Sequence, residues 1–226
     1  IGLIMSAEQK SLKQIINFRK EKLNDLQKKG VNPYPSNFTP THFSESIKIN
    51  FEKLQGEDVI VAGRIMAVRR MGKASFFRII DNKGAIQVFI KKDDIGENSY
   101  ENFKLFDIGD FVGVSGQVFK TKTGEISIRT FELTLLAKSI RPLPIVKEKD
   151  GIKYDSFSDK EQRYRNRHLD LLLNKKVKNT FIQRTKIIRC IRTFLDEHKF
   201  LEVETPVLQP IYGGANARPF ITHHNT

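Results

Sequence analysis

The chain has 226 residues, enough for one or two domains. Its 39% hydrophobic and 29% charged content excludes wholesale disorder or a fibrous repeat, its one cysteine, Cys190, excludes an internal disulfide and fits a reducing cytoplasm, and no stretch approaches the ~18 apolar residues of a membrane span. A formal net charge of +13 points to a polyanionic partner, nucleic acid first, because each Lys or Arg set on a phosphate releases counterions.

Four apolar residues, Ile-Gly-Leu-Ile, precede Met5 and are too few for a signal peptide, so Met5 reads as the natural start. Residues 6–29 read as a helix. Ser6 and Gln9 make a capping-box pattern, Leu12, Ile15, Ile16, Leu23 and Leu26 recur at helical spacing, and Gly30 stops it. Residues 31–56 carry Pro33, Pro35 and Pro40 and read as a connector. From Glu57 the period changes to two. Five strand-like runs follow, over 58–70, 74–81, 85–91, 111–120 and 125–136, with turns at Asp81–Gly84 and Lys120–Gly124 and a helical stretch from Ser99 to Phe106. Three strands, a helix and two strands is the order of the OB-fold, a five-stranded barrel that binds oligonucleotides.

A polar linker follows, and a second helix is expected over about 175–199, with Phe181, Ile188, Ile191 and Leu195 as its apolar stripe. Phe200–Val207 reads as a strand and Pro219–His223 as a possible second one. Since these elements need a sheet to pack on, the natural protein is expected to continue past Thr226. The fold class is therefore α+β: an N-terminal helix and connector over 6–56, a barrel over 57–140, a linker over 141–170 and the start of a second domain over 171–226.

Alternation along the strands assigns the barrel faces. Phe77 and Ile79, Ile86, Val88 and Ile90, and Ile126 and Ile128 face inward. Phe76 and Arg78, Gln87, Phe89 and Lys91, and Glu125, Ser127 and Arg129 are left outside. Rings that stack on bases, amide and carboxylate tips that meet Watson–Crick edges, and cations for phosphates suit unstacked RNA bases. A half-wet barrel with Phe76 tucked under a loop has the same pattern. His223-His224 is not expected to bind metal, because adjacent residues on a strand point to opposite faces.

Four strings occur together: Arg69-Arg-Met-Gly-Lys-Ala-Ser-Phe76, Phe119-Lys-Thr-Lys-Thr-Gly-Glu125, Arg163-Tyr-Arg-Asn-Arg-His-Leu-Asp170 and Gly213-Gly-Ala-Asn-Ala-Arg-Pro-Phe-Ile-Thr-His-His-Asn225. Each resembles class II lysyl-tRNA synthetases of the bacterial kind, over nearly the whole chain. The resemblance implies an anticodon-binding barrel in which Phe76 stacks on the middle base, Gln87 and Glu125 read its edge and Arg69 holds the loop. Arg78 joins this set by alternation. Arg69 rests on the resemblance, since Gly63 and Gly72 obscure the phase of the first strand.

The resemblance further implies that 171–226 opens the family's antiparallel α/β catalytic domain. In it Phe181, Ile188 and Pro206 would belong to a homodimer interface, and Gly213, Gly214 and Ala215 to a loop over the amino acid. The whole enzyme would use ATP and Mg²⁺ to make lysyl-adenylate and pass lysine to tRNA(Lys) in the cytoplasm. The family's ATP-binding arginines and Mg²⁺ carboxylates lie in later motifs, so no catalytic or metal-binding residue is expected within this chain, which should bind the anticodon without catalysing. The alternatives are a non-enzymatic OB-fold module for single strands and a sister synthetase for aspartate or asparagine.

Overall fold

The computed structural model describes residues 11–144, 147–149, 152–154, 157–206 and 222–223. The chain divides into two units, 1–156 and 157–226. Among the described residues no helix is long and apolar enough to cross a membrane.

The first unit opens with α1 (Leu12–Lys28). Its cap is Ser11, whose side chain accepts from the Gln14 N–H at 3.3 Å while Gln14 Oε1 accepts from the Ser11 N–H at 2.7 Å. The expected Ser6–Gln9 pair lies outside the described residues. At the other end Gly30, at φ +77°, lets its own N–H reach Gln27 O and that of Val31 reach Leu26 O, closing the helix in a Schellman turn.

The connector is not featureless. It contains α2 (Ser44–Ile49) and α3 (Phe51–Leu54). Asp81 staples α2 to the barrel, its carboxylate accepting from Ser44 N–H and Oγ–H and from the turn N–H groups of Lys83 and Gly84.

The barrel strands are β1 (Asp58–Met71), β2 (Ala74–Ile80), β3 (Ala85–Lys91), β4 (Phe111–Lys120) and β5 (Ile126–Ala137). The short helices α4 (Lys92–Ile95) and α5 (Glu97–Lys104) lie between β3 and β4. The barrel closes in the order β1-β2-β3-β5-β4, with β3 and β5 parallel and the other neighbours antiparallel. Val59, Val61, Ile65, Phe77, Ile79, Ile86, Val88, Ile90, Val112, Val114 and Ile128 fill its interior. Each such side chain contributes about 1.5–3 kcal/mol on burial. Phe103 of α5 packs on Phe77 with centroids 5.3 Å apart. Tyr100 Oη lies 2.9 Å from Ser75 Oγ and donates to Gly72 O at 2.9 Å, holding α5 to the β1–β2 hairpin.

One residue of β1 breaks the alternation. Ile65 pairs with Ile79 but Ala67 pairs with Arg78, leaving Met66 as a bulge. Before it Val59, Val61 and Ile65 face inward; beyond it Val68 faces Phe77, and Arg69 emerges outside opposite Phe76.

An ionic cluster seats α1 on the barrel. Buried Arg19 donates to the carbonyls of Ile108 (2.9 Å) and Ser139 (2.9 Å). Lys22 meets Asp107 at 2.6 Å, and Lys138, fully buried, meets Asp107 at 2.6 Å and Asp110 at 2.8 Å. Asp110 also accepts from the N–H groups of Asp107 and Ser139.

Where a polar linker was expected, β6 (Lys147–Lys149) and β7 (Ile152–Tyr154) pair as a hairpin. The second unit contains α6 (Lys160–Arg165), α7 (Arg167–Leu173) and α8 (Lys175–Glu197). Asp170, fully buried, fixes the α6–α7–α8 corner by accepting from Arg163 Nε (2.8 Å), Arg167 Nη1 (2.5 Å) and Asn174 Nδ2 (2.6 Å). Burial pushes its carboxyl up, but these hydrogen bonds outweigh burial and hold it below the ordinary carboxylate range. No residue of α8 is buried, and Phe181, Ile187, Ile191 and Phe194 are exposed. The strand expected over Phe200–Val207 does not form across 200–206: those residues have no ladder partner among the described residues, and Glu202 instead folds back to Arg192 at 2.9 Å. Of the Pro219–His223 run only Thr222 and His223 are described, and they are not in a strand.

Replacing Asp110 by Ala strands the buried Lys138 ammonium on one partner and should lower the unfolding free energy by about 3–5 kcal/mol. Urea unfolding followed by circular dichroism measures it, and a loss near zero would contradict the role of the cluster. Burial pushes the Asp107 carboxyl up, but the Lys138 and Lys22 hydrogen bonds outweigh it and leave its pKa lowered. Its contribution is therefore complete above about pH 4, where an unfolded aspartate is ionised, and is lost as pH falls through the lowered folded-state value.

Candidate nucleic-acid interface

Two cross-strand rows make the outer face of the barrel. In one, Arg69 lies opposite Phe76, Phe76 opposite Phe89, and Phe89 beside Arg129. In the other, Ala67 faces Arg78, Arg78 faces Gln87, Gln87 lies beside Ser127, and Ser127 faces Phe119. The Met66 bulge brings Arg69 into the first row; without it the parity of β1 would turn this side chain inward with Ile65.

The rings form a ladder. Phe76 and Phe89 lie 4.9 Å apart at 44°, and Phe89 and Phe119 6.1 Å apart at 66°. Each is half-buried, with the interior of the barrel already filled beneath it. Phe76, Phe89 and Phe119 border a groove of about 620 Å³ with Arg69, Arg78, Gln87 and the loop from Thr121 to Thr123.

That loop presents Glu125. The Thr121 N–H donates to Glu125 O at 2.9 Å, the Glu125 N–H returns to Thr121 Oγ1 at 3.0 Å, and Gly124 makes the turn at φ +88°. The Glu125 carboxylate accepts from Arg78 Nη2 at 2.8 Å. Both partners are more than one-third exposed, so the pair contributes on the order of 0–1 kcal/mol to stability, and its effect is to fix where the carboxylate stands. Gln87 Nε2 donates to Ser127 Oγ at 3.0 Å.

The cations of the face differ in availability. Arg129 is clamped by both oxygens of Asp94 at 2.8 Å, and that hydrogen bond keeps the Asp94 carboxyl below its ordinary range. Arg69 makes no hydrogen bond or ion pair with the described residues. The groove thus offers stacking surface, an amide oxygen and a guanidinium unpaired among the described residues, and Arg78 on its wall holds the Glu125 carboxylate by one oxygen.

Phe76, Gln87, Glu125, Arg69 and Arg78 come together on this face. Phe89 was expected outside but not singled out for the site. Phe119 was overlooked, although alternation from Val118, which is buried, places it outside. Ser127 lies on the outer row as expected but, contrary to expectation, is fully buried, with the Gln87 amide on its hydroxyl. In the second unit, Phe181 and Ile188 are seven residues apart on α8, Phe181 exposed with the Arg167 guanidinium 5.4 Å from its ring centre, and Ile188 half-buried. Pro206 is exposed. Gly213, Gly214 and Ala215 lie outside the described residues. Among the described residues no group of three His, Cys, Asp or Glu could hold a metal ion.

Two family models match the chain: one described as OB-fold nucleic acid binding domain over residues 59–143, and one described as tRNA synthetases class II (D, K and N) over residues 159–226. The chain is 51% identical over 207 residues to a lysine–tRNA ligase of Moorella thermoacetica, covering 92% of this chain and 41% of the relative. It is 50% identical over 215 residues to lysine–tRNA ligases of Thermoanaerobacter pseudethanolicus and Thermoanaerobacter sp. X514, covering 95% of this chain and 42% of each relative. The chain thus spans about two-fifths of the length of the curated relatives it matches.

A side chain at position 124 would meet nothing closer than the Lys120 Cε at 3.9 Å, so the cost of Gly124→Ala is conformational. At φ +88° it should lower stability by about 1–2 kcal/mol, read by chemical unfolding; unchanged stability would contradict this reading of the turn.

Proposed function

The chain belongs to the class II lysyl-tRNA synthetases, and from that premise we propose that its barrel groove grips the anticodon of tRNA(Lys). The observation that carries this reading is a half-buried aromatic ladder on the outer face beside an amide and a carboxylate of defined position. Phe76 stacks on the middle base, a uridine. Gln87 and Glu125 meet its Watson–Crick edge, whose N3–H needs an acceptor. Arg78 holds Glu125, and Arg69 takes a backbone phosphate.

The proposal extends to the whole enzyme. Lysine and ATP react to give lysyl-adenylate and pyrophosphate, and the activated carboxyl passes to the terminal ribose of tRNA(Lys) in the cytoplasm. Its catalytic unit begins within residues 171–226, and Gly213, Gly214 and Ala215 are assigned to amino-acid binding. The exposed apolar face of α8, with Phe181, Ile188 and Pro206, supports a homodimer contact. ATP and Mg²⁺ serve that whole enzyme; the described residues do not fit a metal site.

An isolated OB-fold module leaves the class II match over 159–226 unexplained. The aspartate and asparagine enzymes share that family model, whereas the 50–51% identity is to lysine ligases.

The chain should bind a lysine-tRNA anticodon stem-loop more tightly than an unrelated stem-loop of equal length. Phe76→Ala should cost about 1–3 kcal/mol of that affinity, roughly 5- to 150-fold in Kd, without unfolding the barrel. Equilibrium binding at fixed salt measures both, and full affinity in the Phe76 variant would sink the stacking role.

A further inference from the structure

We infer that Ser127, hidden from any RNA, is the positioning residue that makes the groove prefer uridine to cytidine; this rests on the anticodon reading above. Ser127 is fully buried on the outer row beneath Gln87. Its Oγ–H donates to the Glu125 backbone carbonyl at 3.3 Å, and its Oγ accepts from Gln87 Nε2 at 3.0 Å. A serine hydroxyl has one hydrogen. With that hydrogen committed to Glu125, the hydroxyl can only accept from Gln87. The Gln87 amide must therefore turn its NH₂ toward β5 and leave its carbonyl oxygen as the groove-facing atom.

The consequence is a polarity rule for the base. Uracil presents N3–H as a donor, and an acceptor oxygen from Gln87 satisfies it. Cytosine presents an unprotonated N3, which sets acceptor against acceptor and leaves both without a partner on desolvation. The Glu125 carboxylate, held by Arg78, adds a second acceptor beside the first. Removing the Ser127 hydroxyl frees the Gln87 amide to turn over and offer its NH₂ to cytosine. Ser127 thus acts through Gln87 and never touches the ligand.

The test is equilibrium binding of the full 226-residue chain to two anticodon stem-loops that differ only in U or C at the middle position. Ser127→Ala should narrow the U-over-C preference by roughly tenfold, weakening U and strengthening C, with the salt dependence unchanged. Ser127→Thr keeps the hydroxyl and should restore the preference. Gln87→Leu should narrow it to the same degree, and adding Ser127→Ala to Gln87→Leu should change it no further. An equal loss for both RNAs in Ser127→Ala, or an unchanged ratio with intact binding, overturns the proposal. In the unaltered protein the Gln87 side-chain amide should be ordered by NMR relaxation, and a freely rotating amide overturns the proposal even where Ser127→Ala does not fold. A wild-type chain that binds neither stem-loop would refute the anticodon reading itself, and one that binds both equally would refute the edge reading by Gln87 and Glu125 and with it the role of Ser127, leaving only the stacking.

Discussion

A five-stranded barrel that closes on itself has room inside for one face of each strand, and everything on the outer surface follows from that limit. Ile, Val and Phe77 occupy the interior. Phe76, Phe89 and Phe119 are then excluded by parity; Phe76 and Phe89 meet across the neighbouring strands β2 and β3, and Phe89 meets Phe119 over β5, which lies between their strands. An isolated ring on a surface would be unremarkable. Three in contact, flanked by side chains already fixed by hydrogen bonds, form a preorganised platform, so the stacking proposed above would leave little to order.

The fixing bonds are weak in stability and strong in geometry. The Arg78–Glu125 pair is half-exposed, and the Gln87–Ser127 bond is a single neutral contact. What they supply is direction: a carboxylate and an amide oxygen placed beside the rings. The stability of the unit comes from elsewhere, from the apolar interior and from the buried cluster of Lys138, Asp107 and Asp110 through which α1 is seated. Residues that hold the fold and residues that face the ligand are therefore largely different, so the groove can be altered without dismantling the barrel.

The strands of the barrel were legible to within about a residue at each end, because period two with Gly-containing turns has few other readings. The outward placement of Phe76, Arg78, Gln87 and Glu125 followed from the same parity. Arg69 did not, since the Met66 bulge has no signature in residue type and reverses parity for the rest of β1. Ser127 was placed on the correct row but its burial was missed, because burial depends on what a neighbouring strand lays over it. The short helices α2 and α3 and the β6–β7 hairpin escaped notice because they are too short to display a period. The strand expected after α8 had the right residues but no partner among the described ones, and a strand without a ladder is only extended chain.

The most direct test is to follow the phenylalanine ring protons by NMR while a uridine-centred lysine anticodon stem-loop is titrated into the chain. Stacking predicts upfield ring-current shifts concentrated on Phe76 and Phe89 and saturating with one RNA per barrel. Shifts spread over the basic face of α1 or along α8, with those two rings unmoved, would mean that the groove is not where the RNA is read.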